Sequence, residues 1–178
     1  PGETGKPFVT LMSHYDSTPA SMGAGDNGSG VATILEIGRL MRDTELVNPL
    51  LLLITDAEEN GLLGAEAFFT QHSLRDDVGV VINLEASTTS GRSFLFRTST
   101  ANLGLVRTYG QVAKVPGGSS LYNEVFKQMA SDTDFSVPQR LGYPGMDFVF
   151  VGEPSHHHTI NDNIENLNPA SVQHHGDN

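Results

Sequence analysis

Four stretches of this 178-residue chain carry residues able to do chemistry together. The first reads HYDSTPASMGAGDNGSG, His14 to Gly30, and sets His14, Asp16 and Asp26 among small residues directly after an apolar run. Glu58 and Glu59 stand side by side after a second apolar run, Glu85 closes a third, and His158 lies a few residues beyond the last. Imidazole and carboxylate without thiolate suit a divalent first-row ion in a catalytic rather than a structural site. Two such ions about 3.5–4 Å apart need a bridging carboxylate with further ligands on either side. Asp26 suits the bridge, because Gly23, Gly25, Gly28 and Gly30 let the backbone approach closely. An acid two residues from His14 can accept the other ring N–H and fix the orientation of the imidazole. Adjacent carboxylates can divide labour, one holding metal and the other taking a proton from water.

Positioning these groups requires a scaffold whose strands end at a common edge. Apolar runs at Phe8–Met12, Pro49–Thr55 and Val78–Glu85 read as buried strands, with Ser93–Arg97 nearer an edge and Met146–Gly152 last. Helical spacing covers Ser29–Arg42, starting in the Asp26–Ser29 turn, and helices are expected over Ala101–Val112 and Leu121–Ala130. The alternation favours an α/β fold in one domain, residues 1–178. In such sheets the carboxyl ends of the strands form the ligand crevice. Four strand ends each delivering His, Asp or Glu carry more weight than any one of them alone.

Composition narrows the choices further. With 21 acidic against 10 basic residues the net charge is −11, which argues against a nucleic-acid surface. The absence of cysteine excludes disulfides, thiolate catalysis and Cys-based zinc sites. No apolar run approaches the ~20 residues that span a bilayer, so no membrane contact is expected from this segment itself. The opening PGETGKP and the closing QHHGDN fit a domain cut from a longer protein, whose anchors and signals would lie outside it.

The motifs HYDS…GAGDNGSGVATILEI, DAEENGLLGAEAF, VINLEA and HHTINDNIENL together resemble the co-catalytic di-zinc peptidases of the aminopeptidase and glutamate carboxypeptidase type. The likeness is strongest to the branch of endoplasmic-reticulum and vacuolar membrane metallopeptidases, in which the third ligand motif reads NLE. The resemblance implies a three-layer sandwich with a mixed, mostly parallel central sheet and helices on both faces. It implies two Zn2+ per chain, with His14 and Glu59 completing one site, Glu85 and His158 the other, and Asp26 bridging both. Asp16 would orient His14, and Glu58 would be the general base. It also implies a cis Asp26–Asn27 peptide. The reaction implied is hydrolysis of peptide substrates at their N-terminus, with the ions acidifying a shared water and polarising the scissile carbonyl. The full-length protein would be secreted, lumenal or membrane-anchored.

Three alternatives share this scaffold: a carboxypeptidase or dipeptidase, a single-zinc glutaminyl cyclase, and a receptor-like domain without catalysis. A carboxypeptidase needs cationic groups for a free carboxylate, for which Arg92, Arg97, Arg107 and Arg140 are the candidates. A cyclase should lack part of the second ligand set, and a receptor-like domain should have lost ligands or the base; all are present here. Tyr122 and Tyr143 are both candidates to stabilise an oxyanion. His156 and His157 are read as loop or outer residues, His174 and His175 as part of a C-terminal helix, and His72 as a surface helix end. The sequon Asn27–Ser29 is read as coincidental, since a sugar there would block the site. Asp132 and Asp134 are read as turn residues beside it.

Overall fold

A computed structural model describes residues 2–3, 5–126 and 132–178. Five strands, β1 (Phe8–His14), β2 (Leu50–Thr55), β3 (Val78–Ala86), β4 (Phe94–Thr98) and β5 (Gly145–Phe150), form one sheet in the order β2-β1-β3-β5-β4. The first four in that order run parallel, and only β4 is antiparallel, against β5. The sheet is therefore mixed and mostly parallel, as expected.

The sheet is covered on both faces, and alternate residues of its strands feed separate cores. Leu11, Leu84, Met146 and Phe148 pack with Ile34 of α1 (Gly30–Met41) and Tyr109 of α3 (Leu103–Val112) on one face. Met12 and Val81 pack on the other face with Phe68 and Phe69 of α2 (Leu63–Gln71) and Val137 of α5 (Ser136–Arg140). Helices thus cover both faces. The helix expected over Leu121–Ala130 is described as α4, Ser120–Phe126, and residues 127–130 lie outside the described set. The chain closes on α6 (Pro169–Asp177), started by Pro169 and by the Asn168 side chain, which accepts from the Ala170 N–H at 2.9 Å.

The connectivity creates the crevice. From β1 the chain crosses to β2 on one side, and from β2 it returns past β1 to β3 on the other. The order reverses between β1 and β3, and their carboxyl ends diverge there to leave a ligand crevice. β1 extends two residues further than its apolar run predicts, so His14 is its last residue rather than the first of the loop.

Candidate active site

His14 and Glu85 meet because β1 and β3 run parallel in a fixed register. Met12 pairs with Asn83, and continuing that register two residues sets His14 beside Glu85 on the same face. Their side chains touch, His14 Nε2 lying 3.2 Å from Glu85 Oε1, and both are almost fully buried. The Asp16 carbonyl accepts from His14 Nδ1 at 3.0 Å. That contact leaves Nε2 as the atom free to bind a metal.

Asp26 is held in the segment Ala24–Ser29 between β1 and α1, and the Asp26–Asn27 peptide is cis as expected. Its two carboxylate oxygens face two different imidazoles. Oδ1 lies 3.3 Å from His14 Nε2, and Oδ2 lies 3.3 Å from His158 Nε2. His158 Nε2 is in turn 3.0 Å from Glu59 Oε1. The sequence reading placed His14 with Glu59 and Glu85 with His158; the side chains pair the other way. The reason is topological: β1 and β3 are neighbours, whereas Glu59 and His158 both reach the site from loops beyond strand ends.

Glu58 lies with His14 and Glu85, one ligand-type atom of each within 4.8 Å of the others. Asp16 does more than face His14. Its Oδ1 accepts from the Glu58 N–H at 3.1 Å and its Oδ2 from the Glu59 N–H at 3.2 Å, so one carboxylate ties the Glu–Glu pair to the end of β1. Burial pushes the Glu58 carboxyl up to about 9, with the Glu85 charge adding to it. Burial likewise raises Glu59 and Glu85. Burial alone would lower His14, but the Glu85 and Asp26 carboxylates outweigh it and hold the imidazole at about 12. Burial opposes ionisation of Asp26 too, yet hydrogen bonds from His14, His157 and His158 keep it well below the usual carboxylate range.

These groups fit a pair of divalent cations. The donor set is imidazole and carboxylate, Asp26 offers one oxygen to each side, and Glu85 Oε2 is buried without a hydrogen-bond partner. His14, Asp26 and Glu85 would hold one ion, and Asp26, Glu59 and His158 the other. Bound ions would take over the positive charge that the imidazoles otherwise supply to these crowded carboxyls.

Sequence reasoning missed the group that fixes Asp26. Asp162 is fully buried, and its carboxylate accepts from the Gly25 N–H at 2.6 Å, the Asp26 N–H at 3.1 Å and the Ser21 hydroxyl at 3.1 Å. A Cβ on Gly25 would collide with the Thr88 carbonyl and with Asp162 Oδ1, which explains the glycine. Asp162 stands in the HHTINDNIENL motif, so its position was visible and its role was not. Asp134 proves to be more than a turn residue. The Thr55 hydroxyl donates to Asp134 Oδ2 and also lies 3.2 Å from the Ser13 carbonyl, which ties Asp134 to the ends of β1 and β2. Burial pushes its carboxyl up to about 6, against the Thr55 hydrogen bond, which favours the ionised form.

The other residues sort clearly. Tyr122 lines the cleft beside Phe94, whereas the Tyr143 hydroxyl donates to the Arg75 carbonyl and its ring packs on Phe69. Asn27 is fully buried with its amide donating to the Leu84 carbonyl, so the sequon is inaccessible in the fold. His72 accepts from the Leu74 N–H at the end of α2, and His174 and His175 belong to α6. Arg97 is buried against Asp147, and Arg140 pairs with Glu66. His157, read as an outer residue, turns its ring into the site.

The cleft above these groups encloses about 630 Å³. Its far wall is apolar, built from Phe94, Phe96, Tyr122, Val125, Phe126 and Val149. Among the described residues no Arg or Lys lines it.

The chain is 39% identical over 175 residues to the putative endoplasmic reticulum metallopeptidase 1-B of Caenorhabditis elegans, covering 96% of this chain and 20% of that protein. It is 34% identical over 170 residues to the vacuolar membrane protease of Candida albicans, covering 94% and 20%. It thus spans about a fifth of the length of the curated relatives it matches. In fold it is similar to the LapA aminopeptidase of Legionella pneumophila, with a TM-score of 0.74 at 22% identity over 97% of this chain and 50% of that one. An Acidobacteriales bacterium glutaminyl cyclase is equally similar, with a TM-score of 0.75 at 20% identity over 99% and 68%. At these identities both likenesses speak to the α/β sandwich alone. The description Peptidase family M28 matches residues 1–178, the whole length, and the chain belongs to that family.

Proposed function

We propose that residues 1–178 form the catalytic domain of a two-zinc exopeptidase that removes residues from the N-terminus of peptides. The observation that carries this reading is the Asp26 carboxylate, with one oxygen toward His14 and Glu85 and the other toward His158 and Glu59. Divalent ions bound in this donor set supply Lewis acidity and an acidified water. The chain's own residues do the rest. Asp26 sets the spacing of the two halves, Asp16 orients His14 and holds the backbone of the Glu–Glu pair, and the apolar wall excludes water from one side of the cleft. Glu58 is the general base: cations bound in the adjacent donor set would offset the burial that raises it, and its carboxylate then takes the proton of the attacking water and returns it to the leaving amine nitrogen.

Two features favour N-terminal over C-terminal trimming. The cleft is rich in carboxylates that attract a free α-ammonium, and no Arg or Lys among the described lining residues is placed to hold a free α-carboxylate. The names of the relatives place them at endoplasmic-reticulum or vacuolar membranes, which supports a lumenal or membrane-anchored full-length protein. Among the described residues no helix is long and apolar enough to cross a membrane.

The test uses one short peptide in three forms: free, N-acetylated and C-amidated. The free and amidated forms should lose their first residue and the acetylated form should not. The variant Glu58→Gln should keep its metal and lose about 10²–10⁴-fold in turnover. Cleavage of the acetylated peptide would reject the N-terminal assignment, and unchanged turnover in Glu58→Gln would reject the base.

A further inference from the structure

The far wall of the cleft rests on a cation that does not itself line it. Two aromatic pairs join α4 to β4: Tyr122 packs on Phe94 with ring centroids 4.5 Å apart, and Phe126 on Phe96 at 5.2 Å. Behind them lies Arg97, buried in β4. Its Nε and Nη2 donate to Asp147 Oδ2 at 3.2 and 2.9 Å, and Nη2 also donates to the Thr133 hydroxyl at 2.6 Å. Nη1 donates to the Ser136 hydroxyl at 2.7 Å and to Asp132 Oδ1 at 3.4 Å. These five bonds occupy all five N–H groups of the guanidinium, so only its flat faces are left for further contact. The Phe126 ring covers one, with its centroid 4.4 Å from Arg97 Cζ. A second cavity of about 530 Å³ adjoins the cleft. Leu95, Arg97, Val106 and Tyr109 line that cavity, Phe126 lines the cleft, and Phe96 lines both. The stacked Arg97–Phe126 pair and Phe96 therefore stand between the two spaces.

We propose that Phe126, pinned by the Arg97 guanidinium, is a specificity-determining residue: it seats a bulky apolar side chain of the substrate's first residue and stops it from running on into the second cavity. The inference rests on the N-terminal reading above for the part of a peptide that enters the cleft. Arg97 acts through Phe126 and is a positioning residue. Swinging Phe126 aside would uncover the face of a buried charge, which makes the partition stiff. Lysine could keep a charge opposite Asp147, but it has no flat face and three donors instead of five, so it would not hold the ring. Truncating Phe126 would join the cleft to the second cavity, and the joined space should admit side chains that the unaltered wall rejects.

The test is calorimetric titration of the zinc-treated chain, made inert by Glu58→Gln, with L-alaninamide, L-phenylalaninamide and L-4-phenylphenylalaninamide. Phenylalaninamide should bind at least about tenfold more tightly than alaninamide, and the longer biphenyl side chain should bind poorly. Phe126→Ala should weaken phenylalaninamide about tenfold and strengthen the biphenyl compound about tenfold, a gain that general loosening of the fold would not produce. Phe126 is only half-buried, so this variant should fold, and Phe126→Leu gives a milder step in the same direction. Arg97→Lys should weaken phenylalaninamide too, and combining it with Phe126→Ala should add little, because both act on one contact. Equal binding of alaninamide and phenylalaninamide, or no gain for the biphenyl compound in Phe126→Ala, would overturn the proposal. Full additivity of the two variants would overturn the role of Arg97. The predicted binding pattern in a chain that fails the peptide assay above would reject exopeptidase activity and leave the Phe126 partition standing.

Discussion

Replacing Asp162 by alanine should destabilise the protein even when no metal is present. The carboxylate is fully buried and accepts three hydrogen bonds, two of them from the consecutive backbone N–H groups of Gly25 and Asp26. Hydrogen bonds to a charged acceptor contribute about 1.5–3 kcal/mol each, and a stranded buried N–H costs about 1–3 kcal/mol. These are two views of the same loss, and water entering from the adjacent cleft would recover part of it. The net expectation is about 3–5 kcal/mol. With a urea m-value of about 2 kcal/mol/M, the unfolding midpoint should fall by about 1.5–2.5 M. The assay is urea unfolding of chelator-treated protein, followed by circular dichroism. Asp162→Asn should lose less, because it keeps one oxygen but turns an NH₂ toward a backbone donor. A midpoint shift below about 0.5 M for Asp162→Ala would refute the claim that this residue holds the bridging segment in place.

His175 is buried beside Ser93, and burial, reinforced by the neighbouring His174, pushes its imidazole down to about 3. The unfolded chain protonates this histidine below about pH 6.5 while the folded one does not, so its contribution is complete above that pH and lost as pH falls toward 3. Between pH 7 and pH 5 the loss should be about 2 kcal/mol, and His175→Asn should flatten the dependence of the urea midpoint on pH over that range; equal slopes would contradict this. Arg97 donates to Asp147 at 2.9 Å and 3.2 Å beneath the cleft, both groups being buried. Arg97→Met should cost about 3–5 kcal/mol in thermal or urea unfolding, and adding Asp147→Leu should recover most of it. A double variant no more stable than the single one would reject that account.

The strands were legible because long apolar runs buried on both faces have few other ways to sit. The end of β1 was not, because Ser13 and His14 are polar yet remain in the sheet, where the Ser13 carbonyl and the His14 ring find partners. Nothing in the sequence marked α2: it begins after Leu62 in a left-handed conformation with no side-chain cap. The five-residue α5 contains Pro138 and offers no helical period to read. Within the site, the residue types and their order along the chain were readable, but their partners were not. The His14–Glu85 pair follows from the β1–β3 register, which depends on a crossover that local pattern does not specify. Asp162 acts on residues 136 and 137 positions away, and Asp134 on one 79 away. His157 was set aside because a run of histidines gives no hint of which rings turn inward.

The most direct test of the central claim is metal stoichiometry by elemental analysis after zinc loading and exhaustive dialysis, comparing the unaltered chain with Asp26→Ala. The account predicts two ions per chain, both lost or greatly weakened in the variant, because each oxygen of Asp26 faces one half of the site. A single ion per chain, or two ions that survive the loss of Asp26, would contradict it.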